Sequence, residues 1–136
     1  MSYEESLRKV SLVADASVAG YTGVPGLPGS TQPNSGSIFR FVKVTDSNTV
    51  GLCTDGSADL SVGVLQNKPQ VVGQAATVAV RGISMVISGG SVTAGAAVTA
   101  DADGAATDVG MGDITYGIAI EGSSTSGELI AVLLKA

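Results

Sequence analysis

Residues 59–64 read Asp-Leu-Ser-Val-Gly-Val, and the pattern returns at residues 113–118 as Asp-Ile-Thr-Tyr-Gly-Ile. A shift of 54 residues aligns 36–81 with 90–135 without a gap, and nine of the 46 aligned pairs are identical. Four of the identical pairs are glycines, which commonly mark turns and bulges. The sequence therefore predicts an internal duplication, in which each half supplies about four strands and residues 82–89 join the halves.

Short runs rich in Val, Ile and Thr recur from residue 38 onward, with Gly, Asp, Asn and Ser between them. Such runs are typical of a β-sandwich or barrel, and no stretch between them is long and periodic enough for a crossover helix. The 19 glycines and the low aromatic content of 4% also favour short strands and tight turns. We predict an all-β fold, a small barrel or sandwich of about eight short strands. The predicted strands cover residues 38–44, 49–53, 60–66, 76–81, 83–87, 96–100, 114–120 and 128–134.

The chain divides into an N-terminal arm, residues 1–37, and a β domain, residues 38–136, which contains nearly all of both repeat halves. Ser2 and Glu5 have the spacing of a helix capping box. Apolar side chains then recur at helical intervals, at Tyr3, Leu7, Val10 and Ala14. These features indicate a short amphipathic helix at the start of the arm.

The rest of the arm, residues 17–37, carries five glycines and three of the four prolines. This composition opposes both helix and central strand, so we expect an extended, partly polyproline-like segment. A disordered linker is the alternative, but a purely solvated linker would not need Tyr21, Val24 and Leu27. We therefore predict that the arm binds a partner surface. The predicted contact residues are Tyr3, Leu7, Val10, Tyr21, Val24, Pro25, Leu27 and Pro28.

The chain offers little of the chemistry that catalysis or metal binding requires. It has no His, and its single cysteine, Cys53, ends an apolar run. Without His the common Ser-His and Cys-His arrangements cannot form, and we expect Cys53 to be an inert small hydrophobe. The acidic residues between 101 and 113 lack the ligand spacing and closing Glu of an EF-hand, which favours a solvated turn. We predict no catalytic residue, no metal site and no cofactor.

The formal charge of −5 is unevenly spread, because Arg81 and Lys135 are the only basic residues from position 81 to the end, against six acidic residues. Such a surface would repel phosphate backbones, so nucleic acid is not an expected partner. The first residues lack the basic and apolar regions of a signal peptide, and no apolar run approaches ~18 residues. We expect a soluble protein without membrane spans or a usual export signal.

Five blocks, in order and spacing, carry a resemblance to a known family. The blocks are residues 63–69, 73–83, 90–98, 117–121 and 127–134. From about Gly51 to Lys135 the chain resembles the capsid cement or head decoration proteins of tailed bacteriophages. The resemblance implies a β-rich virion protein, made in the host cytoplasm, that joins the outer surface of the expanded capsid. It also implies the major capsid protein as partner, bridging of neighbouring capsid subunits, and a homotrimer.

Two other classes of function remain open at this point. One is a tail-associated or carbohydrate-recognising β module, which would need exposed aromatic platforms, whereas Phe39 and Phe41 share one predicted strand face and are expected in the core. The other is a small enzyme that uses two carboxylates with separated pKa values, for which no residue pair stands out. The structural interaction protein accounts for more of the sequence than either alternative.

Overall fold

The computed structural model describes residues 8–15, 17–18, 38–69 and 72–134. These residues form strands and turns and contain no helix, so the prediction of an all-β fold is confirmed. The nine strands of the described part are β1 Arg8–Ala14, β2 Phe41–Asp46, β3 Thr49–Leu52, β4 Ser61–Leu65, β5 Ala75–Ile87, β6 Ala97–Ala100, β7 Ala106–Asp108, β8 Gly117–Ala119 and β9 Leu129–Leu134.

The strand pairing reproduces the predicted 54-residue shift at the last two strands of each repeat. Strands β4 and β5 pair with the same register as β8 and β9, with every partner 54 positions further along the chain. The equivalent pairs are Val64–Ala79 and Leu65–Val78 in the first repeat, and Ile118–Leu133 and Ala119–Val132 in the second. The two halves therefore share one strand plan as well as one sequence pattern.

Each repeat is longer than the sequence predicted. In the first repeat Lys9 of β1 pairs with Ala79, and in the second Ile83 of β5 pairs with Leu133. Strand β1 thus holds the position that residues 82–87 hold in the second repeat. Residues 82–89 join the halves as predicted and the predicted strand at 83–87 is confirmed, but it is continuous with β5 and supplies the first strand of the second repeat. We call Arg8–Arg81 the first repeat and Gly82–Leu134 the second.

The gapless alignment is also wrong at two strands, because β3 and β7 are offset in the same way as β2 and β6. Val42 of β2 pairs with Gly63, while Val98 of β6 pairs with Gly117. The equivalent residues of β2 and β6 are therefore 56 positions apart rather than 54. Insertions and deletions in the surface loops between strands leave the strand pairing intact.

Each repeat closes a five-stranded ring. In the first repeat the order β1-β3-β2-β4-β5 is closed by pairing of β1 with β5. The second repeat has the equivalent order β5-β7-β6-β8-β9, in which β9 pairs with β5. Its contact between β5 and β7 is a parallel bridge from Ser88, just after β5, to Ala106, which is equivalent to the parallel pair Ala14–Val50 of β1 and β3. Strand β5 belongs to both rings, and Gly82 at its middle has φ +100°, a backbone region that other residues avoid.

Two clusters of buried apolar side chains fill the described part of the chain. The cluster of the first repeat contains Ala14, Val18, Val42, Val50, Leu65, Ala76 and Val78. The larger cluster of the second repeat contains Val86, Val92, Val98, Ala100, Ala106, Tyr116, Ala119, Ile130, Val132 and Leu134. Phe41, Cys53, Val64 and Ala79 of the first repeat extend this second cluster, so the two repeats share one continuous contact.

The predicted N-terminal helix is wrong over Arg8–Ala14, which form strand β1, and the preceding positions lie outside the described residues. Strand β1 pairs with both β3 and β5, so tertiary hydrogen bonds outweigh the local helical spacing. Leu12 and Ala14 alternate toward the first core, as strand geometry requires. Part of the predicted arm therefore belongs to the β structure.

Candidate interaction surface

The structure places one of the eight predicted contact residues. Val10 lies on β1 opposite Val78 and is 41% exposed. The other seven, Tyr3, Leu7, Tyr21, Val24, Pro25, Leu27 and Pro28, lie outside the described residues. Their role in binding stays a prediction.

A different surface stands out in the second repeat, where apolar side chains of three neighbouring strands point away from the core. We call it the apolar face. Cross-strand partners share one side of a sheet, so the ladder pairs Ile118–Leu133–Ile83, Ala131–Met85 and Leu129–Ile87 lie together. Ile120 adjoins them through its N–H, which donates to the Ala131 carbonyl. The apolar face therefore consists of Ile83, Met85, Ile87, Ile118, Ile120, Leu129 and Leu133 around Ala131, which is itself fully buried.

Much of this surface is open to solvent. Met85, Ile120, Leu129 and Leu133 are 37%, 39%, 48% and 38% exposed. The alternate residues of the same strands, such as Val86, Ile130 and Val132, point inward and are fully or almost fully buried. Strands that are apolar on both sides are typical of sheets covered on both faces, and the described residues leave these four side chains only partly covered.

The first repeat provides an internal comparison, because the same fold is built there with other side chains. The positions of Ile83, Met85 and Ile120 are occupied in the first repeat by Lys9, Ser11 and Gln66, as the shared register shows. Thr77 likewise takes the place of Ala131. The fold itself therefore does not require an apolar surface at these positions.

Charged residues of opposite sign flank the two ends of the apolar face. At one end the next ladder positions hold Arg8, Lys9 and Arg81, all exposed. At the other end Glu121 follows Ile120 and Glu128 precedes Leu129, and both are exposed. The same asymmetry runs through the chain, since residues 8–81 carry six basic and four acidic side chains, while residues 82–134 carry six acidic and no basic ones.

The two repeats contact each other through Tyr116 of the second repeat, which packs against buried residues of the first. The Tyr116 hydroxyl donates to the Asp59 carbonyl at 2.5 Å, and its ring meets Phe41 edge-on with centroids 5.0 Å apart. Burial raises the pKa of the Tyr116 phenol, which keeps the donor protonated. Cys53 is fully buried here, and burial raises the pKa of its thiol to about 11, which confirms the expectation of a small core residue.

Asp59 is held in place from the other side. Its carboxylate accepts from Lys43 Nζ at 2.8 Å and from the backbone N–H groups of Thr54 and Asp55. Burial raises the pKa of Asp59, but these hydrogen bonds outweigh burial and hold the pKa below its usual value. The carboxylate therefore orders the loop that receives Tyr116.

The acidic residues near position 101 also have a local role. The Asp101 carboxylate accepts from the N–H groups of Asp103 and Ala105 and shapes the turn between β6 and β7. Within the described ranges no three His, Cys, Asp or Glu side chains are grouped as metal ligands. No helix in the same part of the chain is long and apolar enough to cross a membrane.

Comparison with known proteins supplies the family. The sequence model of the phage cement proteins matches residues 35–134. The chain belongs to the phage cement protein family. It is a phage virion structural protein, and the match begins before the region in which the sequence blocks had indicated the resemblance. No curated protein sequence matches this cement protein.

A solved structure shares the fold. It is titled "The crystal structure of head fiber gp8.5 N base in bacteriophage phi29", and it superposes with a TM-score of 0.62 at 14% identity. The superposition covers 96% of the cement protein and 95% of that chain. The overall fold described above therefore recurs in the base of a phage head fiber.

Proposed function

We propose that this cement protein binds the outer surface of the assembled capsid and stabilises it by bridging major capsid protein subunits. The observation that carries the proposal is the family match over residues 35–134. The role is non-enzymatic and needs no cofactor, and the protein acts as a homotrimer made in the host cytoplasm. Its location is the virion exterior.

The closed strands of both repeats suit a protein that links capsid subunits. Both repeats are closed rings, so few backbone groups of their strands remain as open edges that could pair with other chains. The shared strand β5 and the Tyr116 contact hold the two rings together. A rigid body of this kind can tie two capsid subunits together if each end of it is bound.

Capsid contact is assigned to the arm. An extended segment rich in Gly and Pro can lie across adjacent subunits and collect contact area at a modest ordering cost, because its prolines are already extended. The residues proposed for this contact are Tyr3, Leu7, Val10, Tyr21, Val24, Pro25, Leu27 and Pro28.

A carbohydrate-binding or tail-associated role is the second candidate, and it would use exposed aromatic side chains. In the described part of the chain Phe41 is fully buried and Tyr116 is 6% exposed. The prediction for Phe39 is wrong, because Phe39 precedes β2 and is half-buried rather than part of the core. These positions favour the capsid role over carbohydrate recognition.

The test is co-sedimentation of the purified protein with undecorated, expanded phage heads, followed by heating of bare and decorated particles. Saturable binding and a higher disruption temperature are expected. A well-folded protein that does not bind would refute the proposal and favour the tail-associated alternative.

Removing residues 1–37 would not test the arm, because it would delete β1 and open the first ring. The arm is tested by the substitutions Tyr21→Ser, Val24→Ser and Leu27→Ser in the full chain, with Val44→Ser as the control, since Val44 is 53% exposed on β2. Loss of head binding in the triple variant alone is expected, and equal binding by all variants would refute the arm's role.

A further inference from the structure

We propose that the apolar face is the surface through which copies of this chain bind one another, with the basic end of one face against the acidic end of its neighbour's. The inference rests on the proposed function in assuming that the protein acts as an oligomer, and it names the surface involved. The partner is a second copy of this chain.

The first step of the argument is that folding does not explain the whole face, although the first repeat keeps apolar residues, Val13, Val64, Ala75 and Ala79, at four of its eight positions. At equivalent positions the first repeat closes the same ring with Lys9, Ser11 and Gln66 in place of Ile83, Met85 and Ile120. Exposed apolar side chains that the fold does not need, grouped on one face, are typical of a protein–protein interface.

The second step is that the two ends of the apolar face carry opposite charges. Arg8, Lys9 and Arg81 continue one end of the face, and Glu121 and Glu128 bound the other. No ion pair joins these five side chains to one another among the described residues. In a closed ring of copies, each contact would place the three cations at the basic end of one face beside the two carboxylates at the acidic end of its neighbour's.

The third step concerns the choice of partner. A chain with a net charge of −5 repels its copies on average, so association needs a contact in which opposite charges are brought together. The second repeat alone carries six acidic and no basic side chains between residues 82 and 134, and the cations that complement it lie on the first repeat. The complementary surface is therefore present on every copy of the chain, as closed symmetric assembly requires.

The first experiment is sedimentation velocity of the full chain over a wide concentration range. Met85→Glu places a charge in the middle of the face, and Ser11→Glu places the same charge at the equivalent position of the first repeat. We expect Met85→Glu to weaken self-association at least tenfold and Ser11→Glu to leave it close to wild type. Equal association of wild type and Met85→Glu would overturn the proposal.

The second experiment tests the ends by charge reversal. Arg81→Glu and Glu128→Lys, each alone, should weaken association, and the double variant should restore it, because opposite signs would again meet across the contact. Circular dichroism identifies any variant that fails to fold. Absence of restoration in a folded double variant would overturn the pairing of opposite ends.

Head binding separates this inference from the proposed function. If the wild-type chain stays monomeric at every concentration and Met85→Glu loses binding to expanded heads, the face binds the capsid and the proposal is overturned. If Met85→Glu is monomeric and still sediments with heads, the self-association surface and the capsid-binding role are both supported. If the wild type associates but never binds heads, only the proposed function fails.

Discussion

Replacing Tyr116 tests how the two repeats are held together. Tyr116→Phe removes the hydroxyl that donates to the Asp59 carbonyl and keeps the ring against Phe41. A hydrogen bond of this kind contributes about 1 kcal/mol to the free energy of unfolding, which for a chain of this size lowers the melting temperature by about 3–5 °C. Tyr116→Val, which installs the residue found at the equivalent position 62, also removes the ring and should cost about 3 kcal/mol.

Urea unfolding followed by circular dichroism measures both losses. If Tyr116→Phe were as destabilising as Tyr116→Val, the ring packing would contribute nothing and the reasoning would fail. A double-mutant cycle with Phe41→Leu and Tyr116→Leu isolates the edge-on ring contact, which should give a coupling energy of about 0.5–1.5 kcal/mol. A coupling energy near zero would show that the rings do not interact.

Three further predictions concern the described residues. Burial raises the pKa of Cys53 from 9.0 to about 11, so the stability that the neutral thiol contributes is present below pH 9 and lost as pH rises toward 11. The difference in unfolding free energy between wild type and Cys53→Ala, measured by urea titration, should therefore shrink over that pH range. Asp59→Asn should cost about 1 kcal/mol at pH 7, and because the pKa of Asp59 is lowered, this difference should disappear as pH falls well below 4; a constant difference would contradict the role of the carboxylate. Gly117→Ala should cost about 3 kcal/mol of unfolding free energy, because a Cβ there would overlap the Leu133 carbonyl. Gly127→Ala meets open space at φ +88° and should cost about 1 kcal/mol, and equal melting temperatures of the two variants would refute this contrast.

Close packing explains why matched glycines carried the repeat signal. A Cβ at Gly63 would overlap the Ala79 carbonyl, just as one at Gly117 would overlap that of Leu133. Both repeats bring two strands too close for any side chain at this position, so glycine is needed in each. The local alternation of apolar residues and these shared glycines made the fold class and the duplication readable from the sequence.

The candidate surface could not be read in the same way. Residues 129–134 read Leu-Ile-Ala-Val-Leu-Leu, so both sides of β9 are apolar and the pattern does not distinguish the inner side from the outer. Which side of β9 faces inward depends on its neighbouring strands, β5 and β8. The exposed side of the apolar face became visible once this pairing was known.

Strand periodicity, turn residues and repeated glycines are local properties, and they were enough to predict an all-β, duplicated protein whose cysteine belongs to the core. Ring closure is different, because β1 lies more than sixty residues from the β5 positions with which it pairs. Such long-range hydrogen bonds turned the predicted helix at Arg8–Ala14 into a strand and made residues 82–87 the first strand of the second repeat. Tertiary pairing decided these points because backbone hydrogen bonds and burial between distant segments outweigh the local preferences of a short stretch.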